Sequence, residues 1–501
     1  MRRRPLLTAL AAAASTSATA GCSALESTER PPDPFDVDET TTEPTTALDY
    51  DGPPRGLESG FEVPGDDDHE VVVTRPWDIP SKVGITVGVT EPPSEAGPAT
   101  LFASIGLAES AEAPVELPAG ATPPLSGYHG EAMDGPREML LVPRRAGVEM
   151  DDVVKRDLGC WRTRQQPFPE PTTGTVVLDP GESVGREYYL VTPWSSSVCL
   201  PSGTFEFEAD AGWSFHVSSF DLVQPDRSRF EEADVPDLPG FAGTRWFHDP
   251  DPRLFVEPQM QSLGLRGGST RLVFHNQRWR SVVAGRRSWA LYKFVDDDWY
   301  PIAPLSSVGD LSHVLPGRTS EVELSFYTNP NAPSPEDPTS VGGLGEGTYA
   351  VAYPADLTIP GPVEVDDDEG TKPTAALVSL VGQQPAFEAS DAVDHVRDEA
   401  GVRHVYTTAD ESSVATLRLR EVPESDGRDG SDLQTLVLEQ VLQRDALRDA
   451  LVTFREAGDD VDAIVYHTDA SDIEDVTAWI DPDGDGLAFW FEDTGYRGSY
   501  G

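Results

Sequence analysis

Lysine is nearly missing from this 501-residue chain. Lys82, Lys155, Lys293 and Lys372 are all of it, so 33 of the 37 basic side chains are arginine. They stand against 87 acidic residues, a formal net charge of −50 at pH 7. Such a balance excludes nucleic acid as a partner, because its phosphates need cations to neutralise them. Cysteine is scarce as well, with Cys22, Cys160 and Cys199 only. None of the three has Cys or His neighbours at zinc spacing. The nine histidines are scattered, and no metal or triad spacing links them. Asn276, Asn329 and Asn331 all fail the N-glycosylation pattern. Beyond residue 22 no apolar run reaches the roughly 20 residues that a membrane-spanning helix needs. No cofactor is implied by any of these residues.

What is present begins at the N-terminus, MRRRPLLTALAAAASTSATAGC. Arg2, Arg3 and Arg4 form a positive head, Leu6 to Ala20 are apolar or small, and small residues precede Cys22. That is the three-part layout of an export signal. Arg3-Arg4-Pro5-Leu6-Leu7 resembles the twin-arginine export signal, which is read as an address. Thr19-Ala20-Gly21-Cys22 resembles the lipobox of prokaryotic lipoproteins, with Thr19 where Leu or Val usually stands. The resemblance implies cleavage before Cys22 and lipidation of its thiol. Residues 1–21 are then the export signal, and their loss takes the charge from −50 to −53.

The acid is both local and general. Residues 26–70 hold 15 acids and two arginines, and the remainder of the negative charge is spread along the chain. Self-repulsion of this size strains a compact fold at low salt. At molar salt the Debye length falls to about 3 Å and the strain is largely screened. Acid-rich, lysine-poor composition of this kind resembles the proteins of extreme halophiles, chiefly haloarchaea. Cys160 and Cys199 are expected to form a disulfide, since an exported protein meets an oxidising exterior.

Residues 22–70 are rich in Pro, Thr, Asp and Glu. They read as a disordered acidic tether that cannot bury enough apolar area to offset its ordering entropy. From residue 71 the pattern becomes short alternating runs divided by turns: ITVGVT, ATLFASIGLAE, EMLLVP, GTVVLDPGESVGREYYLV, GTFEFEA and WSFHVSSFDLV. Such spacing predicts a β-sandwich or barrel over 71–223. A Pro- and Asp-rich connector spans 224–258, and then the pattern returns. STRLVFHN answers ATLFASIG, SWALYKFV answers EMLLVP, HVLPGRTSEVELSFY answers VVLDPGESVGREYYL, and GTYAVAY answers GTFEFEA. Residues 259–385 are therefore a second, weakly similar module.

The succession of a leucine, a Pro-Gly turn, a strand, and a later Gly-Thr-aromatic strand resembles immunoglobulin-like modules of prokaryotic surface proteins. It implies a scaffold and no defined reaction. Residues 386–501 differ. RHVYTT, ATLRLREV and AIVYHT read as strands, and LAFWFEDTGYRGSY as a hairpin. DALRDALVTFREAG reads as a helix capped by Asp445 and ended by Gly458, and SDIEDVTAWI as a second, shorter one. The expected fold is mostly β: two tandem immunoglobulin-like sandwiches followed by a small α+β domain.

Three motifs suggest chemistry. Gly181-Glu182-Ser183-Val184-Gly185 matches the nucleophile pattern of α/β-hydrolases, but a turn precedes it and a strand follows, where a strand-to-helix elbow is required. Asp481, Asp483, Asp485 and Glu492, with Gly486, match the spacing of a calcium loop, yet a strand rather than a helix follows. Trp279, Trp289 and Trp299 recur every ten residues and are assigned to the core in preference to a sugar-stacking face. No catalytic residue is assigned. The expectation is a lipid-anchored protein on the outer face of the cell membrane, held there through Cys22. Its role would be display, recognition of a cell-surface protein or glycan, or structure. The competing readings are an exported hydrolase with its site in residues 386–501, and an inhibitor or assembly factor for another secreted protein.

Overall fold

In the computed structural model the described residues are 57–501, apart from 65, 75–81, 119–128, 145–148, 165–174, 209–213, 242, 250–252, 284–288, 304–312, 332–338, 354–371, 409–413, 423–433, 459–460 and 481–486. Cys22 and the aspartates of the calcium-like loop lie outside them. The described chain is mostly β and is organised in several sheets.

The first is nine-stranded. Its order is Gly60–Val63, Asp66–Thr74, Ser214–Asp221, Gly203–Glu208, His129–Ala132, Glu138–Pro143, Ser183–Val191, Ala99–Leu107 and Val83–Glu91. The two edges meet: Glu58 N–H donates to Val89 O at 3.1 Å, and Val89 N–H to Glu58 O at 2.8 Å. The sheet thus curls onto itself around Phe61, Val71, Val73, Leu101, Leu141, Tyr188, Phe205 and Phe215. Closure of this kind leaves little open edge to pair with other chains. The disulfide expected from sequence is present. Cys160, on the strand Cys160–Thr163, bonds Cys199 with Cα atoms 5.0 Å apart.

Two strands start earlier than composition suggests. Gly60–Val63 and the first five residues of Asp66–Thr74 fall within the stretch read as tether. Acidic residues there mask an alternation that buries Phe61, Val71 and Val73. The connector is likewise part of the fold. Leu254–Pro258 is a strand, and Leu238 and Trp246 pack with Tyr292, Trp299, Ala350 and Leu377 on the outer face of the next sheet.

That next sheet holds Arg245–Trp246, Thr374–Val381, Gly347–Tyr353, Ala290–Val295 and Asp298–Ala303 in order, with Ser262–Gly264 also on Thr374–Val381. A four-stranded sheet, Leu254–Pro258, Arg266–Asn276, Arg318–Tyr327 and Ser340–Val341, packs against it. Phe255, Leu272, Phe274, Leu324 and Phe326 from one side meet Leu291, Tyr349, Val351 and Val378 from the other.

The C-terminal sheet is seven-stranded: Val393–Glu399, Val402–Thr407, Ala463–Asp469, Val414–Val422, Thr494–Tyr500, Ala488–Phe491, Gln434–Leu436. Val402–Thr407 runs parallel to Ala463–Asp469. Helices Leu438–Leu442 and Asp445–Ala457 lie in the connection between them, and the helix Ala470–Ile480 follows Ala463–Asp469. Ala446, Leu447, Ala450, Leu451 and Phe454 form one face of the long helix, and all pack with Val405, Leu417, Leu419, Ile464, Tyr466 and Phe489 of the sheet. The helix ends at Gly458, φ 71°, as its sequence predicts. Asp445 is its first residue rather than its cap; the cap position is Arg444.

Buried ion pairs join the sheets. The fully buried Glu70 accepts from the Arg253 guanidinium and, at 2.7 Å, from Trp279 Nε1–H. Gln277 clasps the backbone of Val223 through both ends of its amide, its Nε2 donating at 2.9 Å. The second junction is built on Glu439, which pairs with Lys293 and accepts from Gly345 N at 3.1 Å and Tyr349 OH at 3.3 Å.

Removing one member of a buried pair leaves the other charge uncompensated, at about 3–5 kcal/mol. Arg253→Ala is therefore expected to lower unfolding stability by about 3 kcal/mol, read in a denaturant titration. Replacing both Cys160 and Cys199 with Ala is expected to cost about 4 kcal/mol on the loop-entropy model for a 39-residue separation. Equal midpoints for oxidised and reduced wild-type protein would contradict that.

Candidate recognition surface

Helices cover one face of the C-terminal sheet, so every second residue on its strands points the other way. The strand registers identify that second set. Tyr406 stands beside His395 on one side and His467 on the other, His404 beside Val465, Thr416 beside His467, Arg418 beside Val465, and Arg420 beside Arg497. Trp490 is paired with Gly495. His395, Arg418, Arg420 and Arg497 are exposed, and His404, Tyr406, His467 and Trp490 are half-buried. Glu399 and Asp469 belong to the same set towards its margins, but in a chain with net charge −50 the middle of this face carries rings and cations.

Its rings form a ladder across three strands. Tyr406 stacks on His395 with centroids 4.5 Å apart and on His467 at 4.4 Å, the planes 9° and 3° from parallel. His404 Nδ1 lies 3.1 Å from His467 Nε2. One of the two donates that hydrogen bond and the other accepts it, so both rings cannot be charged together. Burial and the neighbouring His404 hold His467 below the usual histidine range. His395 Nδ1 lies 2.9 Å from an Asp394 carboxylate oxygen, and the ladder is exposed at His395 and half-buried at its other rings.

The cationic part lies beside it. Among the described residues Arg418, Arg420 and Arg497 make no ion pair. Arg420 and Arg497 are direct cross-strand partners, an arrangement that is destabilising for like charges. Arg397, at the sheet edge, is by contrast 3.5 Å from Glu399. Next to Arg497, the indole of Trp490 lies over Gly495; a Cβ at that glycine would stand 3.4 Å from the ring. Trp490 therefore lies along the sheet, one face down on the backbone and the other outward.

Sequence reasoning did not single out these residues. The signal was there: RHVYTT, AIVYHT and ATLRLREV place His, Tyr or Arg at alternate positions. Which of those positions share a face depends on strand order, and the strand Ala463–Asp469 is inserted between two strands that precede it in sequence.

The other motifs are dispersed. Ser183 opens the strand Ser183–Val191, directly after a turn in which Glu182 accepts from Asp179 N–H at 2.9 Å, so no nucleophile elbow forms. Trp289 is in the core of the two packed sheets. Trp299 stacks on Trp246, and its Nε1–H donates to Pro236 O at 2.9 Å. Trp279 is at the Glu70 junction, so the three tryptophans build no common platform. Glu492, the last residue of the calcium-like pattern, is ion-paired with Arg455, and the strand Ala488–Phe491 precedes it. Among the described residues no group of three or more His, Cys, Asp or Glu is placed to hold a metal. In residues 386–501 a serine does meet a carboxylate: Ser390 donates through Oγ and N to the buried Asp449 at 2.6 and 2.7 Å. Tyr466 OH donates to the same carboxylate at 2.9 Å. The carboxylate is saturated and no imidazole joins it, so the cluster anchors the helix to the sheet.

A cleft of about 430 Å³ lies elsewhere, lined by Asp226, Glu257, Gln259, Gln261 and Arg271. Burial, and then the Asp226 carboxylate, push the Glu257 carboxyl up. His275 Nε2 is 3.5 Å from Glu257, but burial keeps its pKa low.

No family model matches the chain, and no curated protein matches it. Among solved structures it is similar to the CARDB domain of a Pyrococcus furiosus protein in complex with di-metal ions. The identity is 13% and the TM-score 0.15, over 31% of this chain and 99% of that one. It is also similar to a polysaccharide lyase, with 10% identity and a TM-score of 0.13, over 65% of this chain and 37% of that one. At such scores the functional reading rests on the residues themselves.

Glu257 supplies a pH-dependent test. Its folded-state pKa lies above its unfolded one, so its contribution is most favourable below the ordinary carboxylate range. Stability is lost as pH rises through that range towards the raised value. Glu257→Gln is expected to raise Tm at pH 7 by about 2 °C and to leave it unchanged near pH 3. A gain of equal size at both values would assign the effect to packing instead.

Proposed function

We propose that this is an exported, lipid-anchored recognition protein on the outer membrane face of a haloarchaeon, and that it recognises its ligand through the uncovered face of the C-terminal sheet. The observation that carries the reading is the grouping of Arg418, Arg420 and Arg497, without acidic partners among the described residues, on one open face of a chain with net charge −50. Unpaired like charges held side by side are a cost to folding, and a ligand that neutralises them gives that cost a purpose.

The setting has separate support. The Cys160–Cys199 disulfide suits an oxidising compartment. The N-terminal arginines, apolar stretch and Cys22 suit export followed by lipidation. The acid excess suits folding in concentrated salt.

The architecture we infer is two tandem immunoglobulin-like sandwiches and a small α+β domain. Matching strands make matching pairs. Ala99–Leu107 pairs with Ser183–Val191 as Arg266–Asn276 pairs with Arg318–Tyr327. Gly203–Glu208 pairs with Ser214–Asp221 as Gly347–Tyr353 pairs with Thr374–Val381. The corresponding glycines even share conformations, φ 86° and 71° at Gly181 and Gly317, and 145° and 152° at Gly203 and Gly347. The first module departs from the second where Glu138–Pro143 joins Ser183–Val191 and merges its two halves into one curled sheet.

One acyl chain holds a protein only marginally on a membrane, whereas two give stable anchoring. Cys22→Ser is therefore expected to move the protein from the membrane pellet to the soluble fraction or the medium, read by fractionation of cells in their growth salt. Retention of the variant wholly in the pellet would overturn the anchor.

A further inference from the structure

The open face offers three kinds of contact in a fixed order across the sheet. At one end stands the stacked ladder of His395, Tyr406, His467 and His404, exposed at His395 and half-buried at the other three rings. In the centre Arg418, Arg420 and Arg497 lie on two neighbouring strands. Beyond them the indole of Trp490 lies flat over Gly495. From the strand of His395 to the strand of Trp490 there are five interstrand steps, about 24 Å at the usual spacing.

We infer that this face binds an acidic polysaccharide, with a uronate carboxylate held by Arg420 and Arg497, a sugar ring seated on Trp490, and hydroxyls met by the His–Tyr ladder. The inference rests on the reading of this face as the recognising surface and names the ligand class. Charge complementarity favours an anion. The guanidinium fork matches a carboxylate in two parallel hydrogen bonds, which a lysine could not supply. The flat indole favours a ligand with ring faces over an extended acidic peptide. Nucleic acid also offers rings and charge, but its closely spaced phosphates would run from three unpaired arginines onto a surface dominated by acid. An acidic polysaccharide alternates charged groups with uncharged ring faces and hydroxyls, as this face alternates cations with rings and polar edges.

The test uses the purified full chain in molar sodium chloride, with polygalacturonate as probe. Fully methyl-esterified polygalacturonate and poly(dT) are the comparison ligands. Binding of polygalacturonate, at least about tenfold weaker for the ester, is expected. Arg420→Gln with Arg497→Gln should weaken polygalacturonate binding by about tenfold or more. Both arginines are exposed, so the double variant is expected to fold, with unchanged circular dichroism and a Tm equal to or above that of the parent. Trp490→Phe should weaken binding by a smaller factor. No binding of polygalacturonate, equal binding of its ester, or equal binding of poly(dT) would each overturn the inference. The recognition reading is tested separately by crosslinking on intact cells in their growth salt, where loss of captured surface material in the double arginine variant is expected and equal capture by variant and parent would overturn it.

Discussion

Repulsion among 87 carboxylates, opposed by 37 cations, is the constraint on which the rest of this structure depends. Each basic side chain is scarce, so its position carries information. Several are placed where a carboxylate has been taken out of water. Arg253 meets Glu70, Lys293 meets Glu439, and Arg448 lies between Asp445 and Asp449, at 2.8 and 3.5 Å. Arg444 is buried with its guanidinium 3.5 Å from the centre of the Trp479 ring, its pKa brought down to about 10 by burial. Two of these pairs sit at junctions between sheets, and the Lys293 pair uses one of only four lysines in the chain.

Position also decides which interactions survive in salt. Exposed pairs such as Arg271–Glu321, 3.4 Å apart with both partners about half exposed, are screened and contribute little. The pair of Arg253 with Glu70 is screened less, because its carboxylate is fully buried although the arginine is part exposed. Adding salt therefore relieves the surface repulsion while leaving the junctions intact. Buried pairs of this kind are poor sources of net stability compared with apolar packing, but they penalise any arrangement that leaves a charge unmatched. The geometry of Glu70 with Arg253 and Trp279, and of Glu439 with Lys293 and Tyr349, fixes how each sheet meets the next.

Much of the strand pattern is legible in the sequence because its period of two is local. EMLLVP and GTYAVAY coincide with the strands Glu138–Pro143 and Gly347–Tyr353, and the long helix runs from Asp445 to the glycine that ends it. Composition misleads where it and pattern disagree. The acids of residues 58–70 conceal one strand and the start of another, and the prolines and aspartates of 224–258 conceal two strands and a packed cover. In both places a few apolar residues, Phe61 with Val71 and Val73, or Leu254 with Phe255 and Val256, outweigh a polar majority. The disulfide is legible once the export signal assigns Cys22 to the lipid and the remaining two cysteines to an oxidising exterior. The candidate face was not, because Arg420 and Arg497 are far apart in sequence and become neighbours only through the order of strands in a mixed sheet.

That order links the two unusual properties of the chain. A cross-strand pair of arginines would be a poor choice in dilute buffer, where like charges repel over about 10 Å. In the molar salt of the proposed setting the repulsion is confined to about 3 Å, so the cost of setting Arg420 beside Arg497 is reduced to what acts between direct cross-strand partners, the part that a bound anion relieves. The same screening removes long-range steering of an anion towards the face. What remains must act at contact: the fixed fork of a guanidinium, the outward face of an indole, and the hydrogen-bonding edges of stacked rings. Arginine suits that regime better than lysine, since its planar group is weakly hydrated and pairs through geometry as much as through charge. A recognition surface built for concentrated salt should therefore look like this one, short in range and exact in shape, on a molecule that is otherwise almost entirely acidic.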